Sequence, residues 1–310
     1  MKIFKSLLLT ATAILLGGCS LPGVVQQKND ARFEIGVSIL PYQDIVERIV
    51  GDDVTVFSIV PEGYNPETYE PSPQEMKRLS SAKLVVLNGN LPYEQNIETV
   101  LSESGQDTVV IKLNEALQET DFLPLGEHHH DEEDEHDATD DHDEEQPDPH
   151  TWLSPRLMIQ QLPSIVMALQ KIDPDYTDRY VQNAVTVVAE LEKVSADLHE
   201  MLDKHWGRSF LVYHPAFGYF AQEFNLTQRF IEIEGKEPSA TQIKDSLQLV
   251  ASEQISAIYL EKQFSTRTAE SLAQELQVPI EYVNPLSSDY FGTLQEFAMH
   301  LAEGFSNSEK

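Results

Sequence analysis

Short apolar runs rich in Val, Ile and Leu alternate along the chain with segments whose apolar residues recur at helical spacing. In the first half, four such runs bounded by turn residues predict β-strands at residues 33–40, 54–60, 84–89 and 108–113. Helices are predicted between them at residues 42–50, 73–81 and 92–102. Because strands and helices alternate, we expect parallel strands in a sheet that is covered by helices on both faces.

The second half of the chain repeats this alternation. Its predicted strands lie at residues 209–214, 228–234, 255–261 and 280–283, and its predicted helices at 216–224, 239–252, 266–277 and 293–305. The pattern therefore predicts an α/β fold with two (β/α)4 lobes of similar size. We place the N-terminal lobe at residues 33–172 and the C-terminal lobe at residues 207–310.

The segment between the lobes has the strongest helical pattern in the chain. Asp173 and Pro174 are typical of a helix start, and neither Gly nor Pro interrupts residues 175–206. Apolar residues follow at steps of four and three: Tyr176, Tyr180, Ala184, Val187, Leu191, Val194, Leu198 and Met201. Because each lobe already has its own helices, we interpret residues 173–206 as one long rigid helix that joins the lobes, rather than as a core helix of one lobe.

The first 18 residues have the pattern of a secretory signal. Lys2 and Lys5 precede an apolar run of about ten residues, which is shorter than the roughly 20 residues needed to span a membrane. The run ends in Leu-Gly-Gly-Cys, which resembles a bacterial lipobox with Cys19 as the lipidated residue. We expect residues 19–32 to be a polar tether and the mature protein to be lipid-anchored to a bacterial membrane, outside the cytoplasm.

The charge of the chain excludes one class of partner and identifies an unusual segment. The 310 residues include 52 Asp and Glu against 21 Lys and Arg, a formal net charge of −31, so nucleic acid is not an expected partner. Residues 127–148 hold 13 acidic residues, no basic residue and five histidines: His128, His129, His130, His136 and His142. Such a segment cannot bury apolar surface, so we expect a solvated, disordered loop that binds metal with low affinity. The alternative is that this acidic segment is only solvated and binds no metal.

Polar residues at strand ends are the candidates for chemistry, because ligands of open α/β sheets bind at the carboxyl ends of the strands. They are Glu67 after the second predicted strand, His150 before the last helix of the first lobe, His214 at the end of the first strand of the second lobe, and Asn284 at the end of its last strand. Two imidazoles and a carboxylate are suitable ligands for a borderline divalent cation such as Zn²⁺. From spacing alone, a single His at the end of a strand is more often hydrogen-bonded locally than a metal ligand.

Longer motifs surround these candidates. They are Tyr-Glu-Pro-Ser-Pro at 69–73, Asp-Pro-His-Thr-Trp-Leu-Ser-Pro at 148–155, His-Pro-Ala-Phe-Gly-Tyr-Phe at 214–220, Glu-Gly-Lys-Glu-Pro-Ser at 234–239 and Pro-Leu at 285–286. Together they resemble the substrate-binding lipoproteins of metal-ion ABC importers, specifically the zinc-uptake branch of the cluster 9 (A-I) family. The resemblance implies two four-stranded lobes joined by one long helix, with the metal in the cleft between the lobes.

The resemblance also implies a ligand set. His150 and His214 match the family directly, and His rather than Glu at position 214 favours zinc over manganese. Two positions depart from the family, because Glu67 stands where a His is common and Asn284 where an Asp is common. Glu67 can still ligate as a carboxylate, whereas Asn284 offers a neutral carbonyl oxygen, so weaker binding is expected and manganese or iron are competing metals. The candidates for the fourth ligand are Asn284, Asp289, Glu261 and water.

The expected function is that of a monomeric binding protein, which captures Zn²⁺ outside the cytoplasm and delivers it to an ABC permease and its ATPase. A metallohydrolase with a two-His, one-Glu zinc site is the alternative, with Glu261 as the candidate general base. The sequence contains no His-Glu-x-x-His, no Gly-x-Ser-x-Gly and no phosphate-binding glycine loop, so no enzymatic motif supports it. A metal-buffering surface adhesin without a transporter is a third hypothesis.

Overall fold

The computed structural model describes residues 31–124, 147–231, 240–264 and 266–308. Three sequence predictions lie outside these residues: the signal sequence with Cys19 and most of the tether, the five histidines of the acidic segment, and the motif at 234–239. None of the helices in the described part of the chain is long and apolar enough to cross a membrane.

The N-terminal lobe contains a parallel four-stranded sheet. Its strands are β1 (Glu34–Val37), β2 (Thr55–Ser58), β3 (Leu84–Leu87) and β4 (Val109–Lys112), in the order β2-β1-β3-β4. Its helices are α1 (Leu40–Val50), α2 (Pro73–Ser81), α3 (Glu94–Glu103) and α4 (Pro155–Ile172). The central strands β1 and β3 are almost entirely buried, because helices cover both faces of the sheet.

The C-terminal lobe repeats this topology. Its strands are β5 (Ser209–Val212), β6 (Thr227–Phe230), β7 (Ile258–Glu261) and β8 (Ile280–Val283), all parallel in the order β6-β5-β7-β8. Its helices are α6 (Gly218–Glu223), α7 (Ala240–Glu253), α8 (Thr266–Leu276) and α9 (Tyr290–Ser308). The strand order of each sheet reverses beside its first strand, and open α/β sheets bind ligands at the carboxyl ends of the strands at this point.

The predicted fold class is confirmed, while some elements begin or end at other residues than predicted. The apolar run at 33–40 contains β1 and the start of α1, because Pro41 has no N–H for a sheet and favours the first turn of a helix. The helix predicted from residue 293 begins at Tyr290, because Asp289 caps it and accepts the Gly292 N–H at 3.0 Å. Both boundaries are determined by single residues, a proline and a capping aspartate, which the pattern of apolar positions does not take into account.

One long helix joins the lobes. Helix α5 (Thr177–Leu202) has 26 residues and is about 39 Å long, with a 3-10 turn at each end. Its buried residues follow the predicted spacing: Tyr180, Ala184, Val187, Leu191, Val194, Leu198 and Leu202. This stripe packs on α1 and α4 of the first lobe and on α9 of the second. The predicted long connector is confirmed, and the lobe boundaries at residues 172 and 207 stay a prediction.

A network of charged and phenolic groups fixes the start of this connector to the first lobe, at the amino ends of its strands. Arg32, just before β1, donates to Asp53 at 2.7 Å and to the Tyr180 hydroxyl at 3.1 Å. Its guanidinium also donates to Asp173. Arg179 donates to the other oxygen of Asp53 at 2.5 Å. Burial alone would raise the pKa of the Asp53 carboxyl, but the hydrogen bond from Arg179 and the neighbouring contacts hold that pKa below its ordinary value.

We expect Asp53→Asn to lower the free energy of unfolding by about 1 kcal/mol at neutral pH. Because the pKa of Asp53 in the folded state lies below the unfolded value of about 3.9, its charge stabilises the fold fully above that value. The contribution disappears as the pH falls through the folded pKa. Urea unfolding near neutral pH and again at about pH 3 should therefore show a smaller difference between variant and wild type at the lower pH. Asp52→Asn, at the exposed neighbouring residue, is the control; an equal loss of stability in both variants would contradict the prediction.

Candidate metal centre

Three side chains from separate connections converge at the carboxyl ends of the two sheets. Glu67 lies between β2 and α2, His150 lies shortly before α4, and His214 follows β5 by two residues. One carboxylate oxygen of Glu67 and one nitrogen of each imidazole lie within 4.8 Å of one another. Because His214 comes from the second lobe and the other two from the first, the cluster spans the cleft between the lobes.

The distances between these atoms fit a tetrahedral metal site. The Nε2 atom of His214 lies 3.4 Å from Nε2 of His150 and 3.5 Å from Oε1 of Glu67. With metal–ligand bonds of about 2.0–2.1 Å, adjacent ligands of a tetrahedral Zn²⁺ are separated by about 3.3–3.4 Å. A single cation of this size would therefore reach both imidazoles and the carboxylate after small side-chain movements.

The connection between β2 and α2 holds Glu67 through a local turn. The side-chain oxygen of Asn65 accepts the Glu67 backbone N–H at 2.9 Å, which forms an Asx turn. Burial alone would raise the pKa of the Glu67 carboxyl, but its hydrogen bond with His214 and the charges of His214 and His150 hold that pKa below its ordinary value. The carboxylate is therefore anionic at neutral pH, as a metal ligand must be.

A buried carboxylate orients His150. Oδ1 of Asp148 accepts a hydrogen bond from Nδ1 of His150 at 2.7 Å and another from the His150 backbone N–H at 2.8 Å. Because Nδ1 donates to this carboxylate, the neutral ring presents the lone pair of Nε2 to the cavity. Sequence reasoning did not identify this role of Asp148. The available signal was its position two residues before His150, a spacing at which Asp side chains accept backbone hydrogen bonds.

Aromatic side chains enclose the two imidazoles. The Phe264 ring stacks on His214 with 4.9 Å between the centroids, and the Trp152 ring lies 5.0 Å from the ring of His150. Residues of the connection between β8 and α9 close another side. The space that remains is about 10 Å³, which is room for one ion or one water. Apolar walls strengthen the attraction between a cation and its ligands, because they exclude water.

The sequence candidates for a fourth ligand occupy different positions. Glu261, the last residue of β7, is 3% exposed and lines the same cavity. Asn284 is half-buried and is not among the residues that line the cavity, although the next two residues are. Asp289 is exposed and caps α9. Of these candidates, Glu261 lines the cavity together with the two imidazoles, although the group of ligand atoms within 4.8 Å of one another contains only Glu67, His150 and His214 among the described residues. Ligation by any of these candidates stays a prediction.

The chain is similar to proteins of zinc uptake. A family profile described as the periplasmic component A of the zinc-uptake complex matches residues 35–304. The high-affinity zinc uptake system protein ZnuA of Bacillus subtilis is 29% identical over 92% of this chain and 89% of its own length. The zinc-binding protein AdcA of Streptococcus pyogenes serotype M3 is 28% identical over 91% of this chain. The chain spans about half the length of this second relative, 56%.

Two solved structures share the fold at higher sequence identity. A crystal structure of ZnuA is 35% identical and superposes with a TM-score of 0.77, covering 89% of this chain and 99% of the other. A deletion mutant of ZnuA with zinc bound is 34% identical and superposes with a TM-score of 0.75, covering 88% of this chain and 97% of the other. At this coverage, the similarity includes both lobes and the helix that joins them.

Proposed function

Because this chain belongs to the family of periplasmic component A proteins of zinc-uptake complexes, we propose that it captures Zn²⁺ between its lobes and delivers the ion to an ABC permease and its ATPase. The family resemblance predicted from the sequence motifs is confirmed by this membership. Relatives named as zinc-uptake and zinc-binding proteins support Zn²⁺ as the ion. The ion is cargo in this proposal, so it is bound and released without chemical change.

The observation that supports this proposal most directly is the short distance between the two imidazoles. Their Nε2 atoms lie 3.4 Å apart in a buried cavity, and a carboxylate oxygen lies 3.5 Å from one of them. The hydrogen bond from His150 to Asp148 leaves Nε2 of His150 as an acceptor. A single N–H of His214 can point to only one of its two neighbours, whereas a cation at the centre attracts all three atoms.

We propose Glu67, His150 and His214 as three ligands and Glu261 as the fourth. Glu261 is favoured over Asn284 and Asp289 because it is buried and lines the cavity. Two carboxylates would also neutralise the two charges of the cation, which matters because an unbalanced charge is costly to bury.

Competition with a chelator on the purified, metal-free chain is expected to show one tight Zn²⁺ site, which Glu261→Gln weakens by more than the roughly 10- to 100-fold that follows changes behind the ligands. The substitution keeps the size of the side chain and removes its negative charge from the cavity. Asn284→Ala is the control, and we expect it to leave the affinity nearly unchanged. The absence of a tight site in the wild-type chain would reject the proposed function. A loss of affinity in Asn284→Ala but not in Glu261→Gln would assign the fourth position to Asn284.

Glu67, which stands where a His is common in the family, affects which metal the site prefers. A carboxylate is a harder ligand than the imidazole common in the family, and it suits Mn²⁺ and Fe²⁺ better. We nevertheless propose Zn²⁺ as the preferred ion, because two imidazoles remain and divalent Mn and Fe bind such sites more weakly than Zn.

The geometry favours a binding protein over a hydrolase with the same ligands. The cavity of about 10 Å³ lies between the aromatic walls of Phe264 and Trp152, so it holds an ion but not a substrate beside it. We assign Glu261, the candidate general base, the role of a ligand in this proposal. We therefore propose that the protein is not an enzyme.

The remaining parts of the proposal concern residues outside the described ranges. We propose that Cys19 carries a lipid that anchors a monomeric protein to a bacterial membrane, in the periplasm or at the cell surface. The name of a relative from Streptococcus pneumoniae, zinc-binding lipoprotein AdcA, supports this anchor. The five histidines of segment 127–148 are proposed as low-affinity sites that concentrate Zn²⁺ near the protein.

A further inference from the structure

Trp152 connects the histidine-bearing segment of the first lobe to the second lobe. Its indole Nε1 donates to the Pro285 carbonyl oxygen at 2.9 Å, and its own carbonyl oxygen accepts from the Tyr290 hydroxyl at 2.8 Å. Pro285 follows β8 and Tyr290 begins α9, so both partners belong to one connection of the second lobe. The Trp152 side chain is fully buried, and hydrogen bonds are electrostatically stronger in such surroundings than in water.

The same residue contacts the proposed ligand on its other side. The Trp152 ring lies 5.0 Å from the His150 ring, and both residues share a tight turn in which the Leu153 N–H donates to the His150 carbonyl oxygen at 3.1 Å. Before the histidine, Asn88 donates to the Pro149 carbonyl oxygen at 3.0 Å. The backbone around His150 is therefore held by the first lobe on one side and by the second lobe on the other.

The connection between β8 and α9 lines the cavity with Pro285 and Leu286 but not with Asn284. The family resemblance implies a ligand at position 284, where this chain has an Asn that is not among the residues lining the cavity. The next residue, Pro285, does line the cavity, and its carbonyl oxygen accepts the hydrogen bond from Trp152. The connection thus contacts the segment that carries a ligand.

We propose that Trp152 is a positioning residue for His150, which it holds at the distance from His214 that the cation requires. This inference rests on the proposed function. In this arrangement, a residue of the second lobe helps to place a ligand of the first lobe. The hydrogen bond between Trp152 and Pro285 then fixes the distance between His150 and His214, as does the ion. Ligands of a metal site must be held to within about 0.5 Å. Loss of the indole hydrogen bond should therefore weaken binding without removing any ligand.

Trp152→Phe tests this role, because it removes the indole donor and keeps an aromatic ring beside His150. We expect the variant to bind Zn²⁺ about tenfold more weakly in chelator competition. We also expect the visible absorption bands of bound Co²⁺ to shift, because they report the geometry of the ligands. Trp206→Phe is the matched control, since Trp206 is 74% exposed and is the other of the 2 tryptophans in the chain. It should bind both ions as the wild type does.

Tyr290→Phe provides a second variant that removes a single oxygen atom. It deletes the hydrogen bond to the Trp152 carbonyl, and we expect a smaller effect in the same direction on Zn²⁺ affinity and on the Co²⁺ bands. This variant keeps the inference testable if Trp152→Phe does not fold.

Two results would overturn the inference. One is wild-type Zn²⁺ affinity with an unchanged Co²⁺ spectrum in both variants. The other is weaker binding without any spectral change, which a purely structural role of Trp152 predicts. Both results leave the proposed function intact, because that function fails only if the wild-type chain itself has no tight Zn²⁺ site, and the inference then fails with it.

Discussion

Replacement of His214 by alanine should abolish tight Zn²⁺ binding, with a loss well above the roughly 10- to 100-fold that follows changes behind the ligands. The Nε2 atom of His214 is central to the cluster, 3.4 Å from the nearest nitrogen of His150 and 3.5 Å from Glu67. Alanine removes one ligand and leaves a gap on the side of the second lobe, so the remaining ligands would share the ion with water. Isothermal titration of the metal-free chain, with a chelator present to mask weak sites, measures the loss.

His199→Ala is the matched control for this experiment. His199 is a partly exposed histidine on α5 that pairs with Asp203 at 2.9 Å and does not belong to the Glu67–His150–His214 cluster. The control should bind Zn²⁺ with wild-type affinity. If His214→Ala also did so, the tight site would lie elsewhere and the proposed ligands would be wrong.

Asp148→Asn should weaken Zn²⁺ binding by roughly 10- to 100-fold, although Asp148 is not a proposed ligand. Its carboxylate accepts a hydrogen bond from the Nδ1–H of His150 at 2.7 Å and so keeps the lone pair of Nε2 available for the ion. An Asn side chain is neutral, and its NH₂ group can donate to Nδ1, which stabilises the tautomer that carries a proton on Nε2. Chelator competition gives the affinity, and stopped-flow transfer of Zn²⁺ to a chelator should show faster release.

Asp289→Asn separates this effect from a simple loss of charge. Asp289 is exposed, and Asn caps a helix about as well as Asp does, so both the fold and the Zn²⁺ affinity should be retained. A larger loss of affinity in Asp289→Asn than in Asp148→Asn would make Asp289 a ligand and contradict the role assigned to Asp148.

The fold can be predicted from the apolar pattern because its central strands and its connector leave strong signals. Strand β3 is buried along its whole length and has no polar residue, and the buried stripe of α5 keeps its helical spacing from Tyr180 to Leu202. Element boundaries are harder to predict. Pro41 favours a helix at the end of the first apolar run, which was predicted as a strand. Asp289 caps α9, so this helix begins before the predicted residue 293.

The site is predictable in part. His150 and His214 can be found from the sequence, because each stands beside a proline at the end of an element and within a longer motif. The fourth position cannot be found in this way. Glu261 and Asn284 lie at the ends of neighbouring strands, but a place along a strand does not give the direction of a side chain, and of the two only Glu261 lines the cavity. The role of Asp148 likewise depends on which ring nitrogen meets its carboxylate, which spacing alone does not show.

The buried stripe along α5 also determines how the molecule unfolds. One continuous stripe covers helices α1 and α4 on one side of the cleft and α9 on the other. Unfolding of either lobe would expose the part of the α5 stripe that this lobe buries. Exposure of apolar surface costs a free energy of about 25 cal/mol for each Å². The two sheets should therefore denature together in one cooperative transition, and a fragment holding only one of them would lack a partner for half of its longest helix.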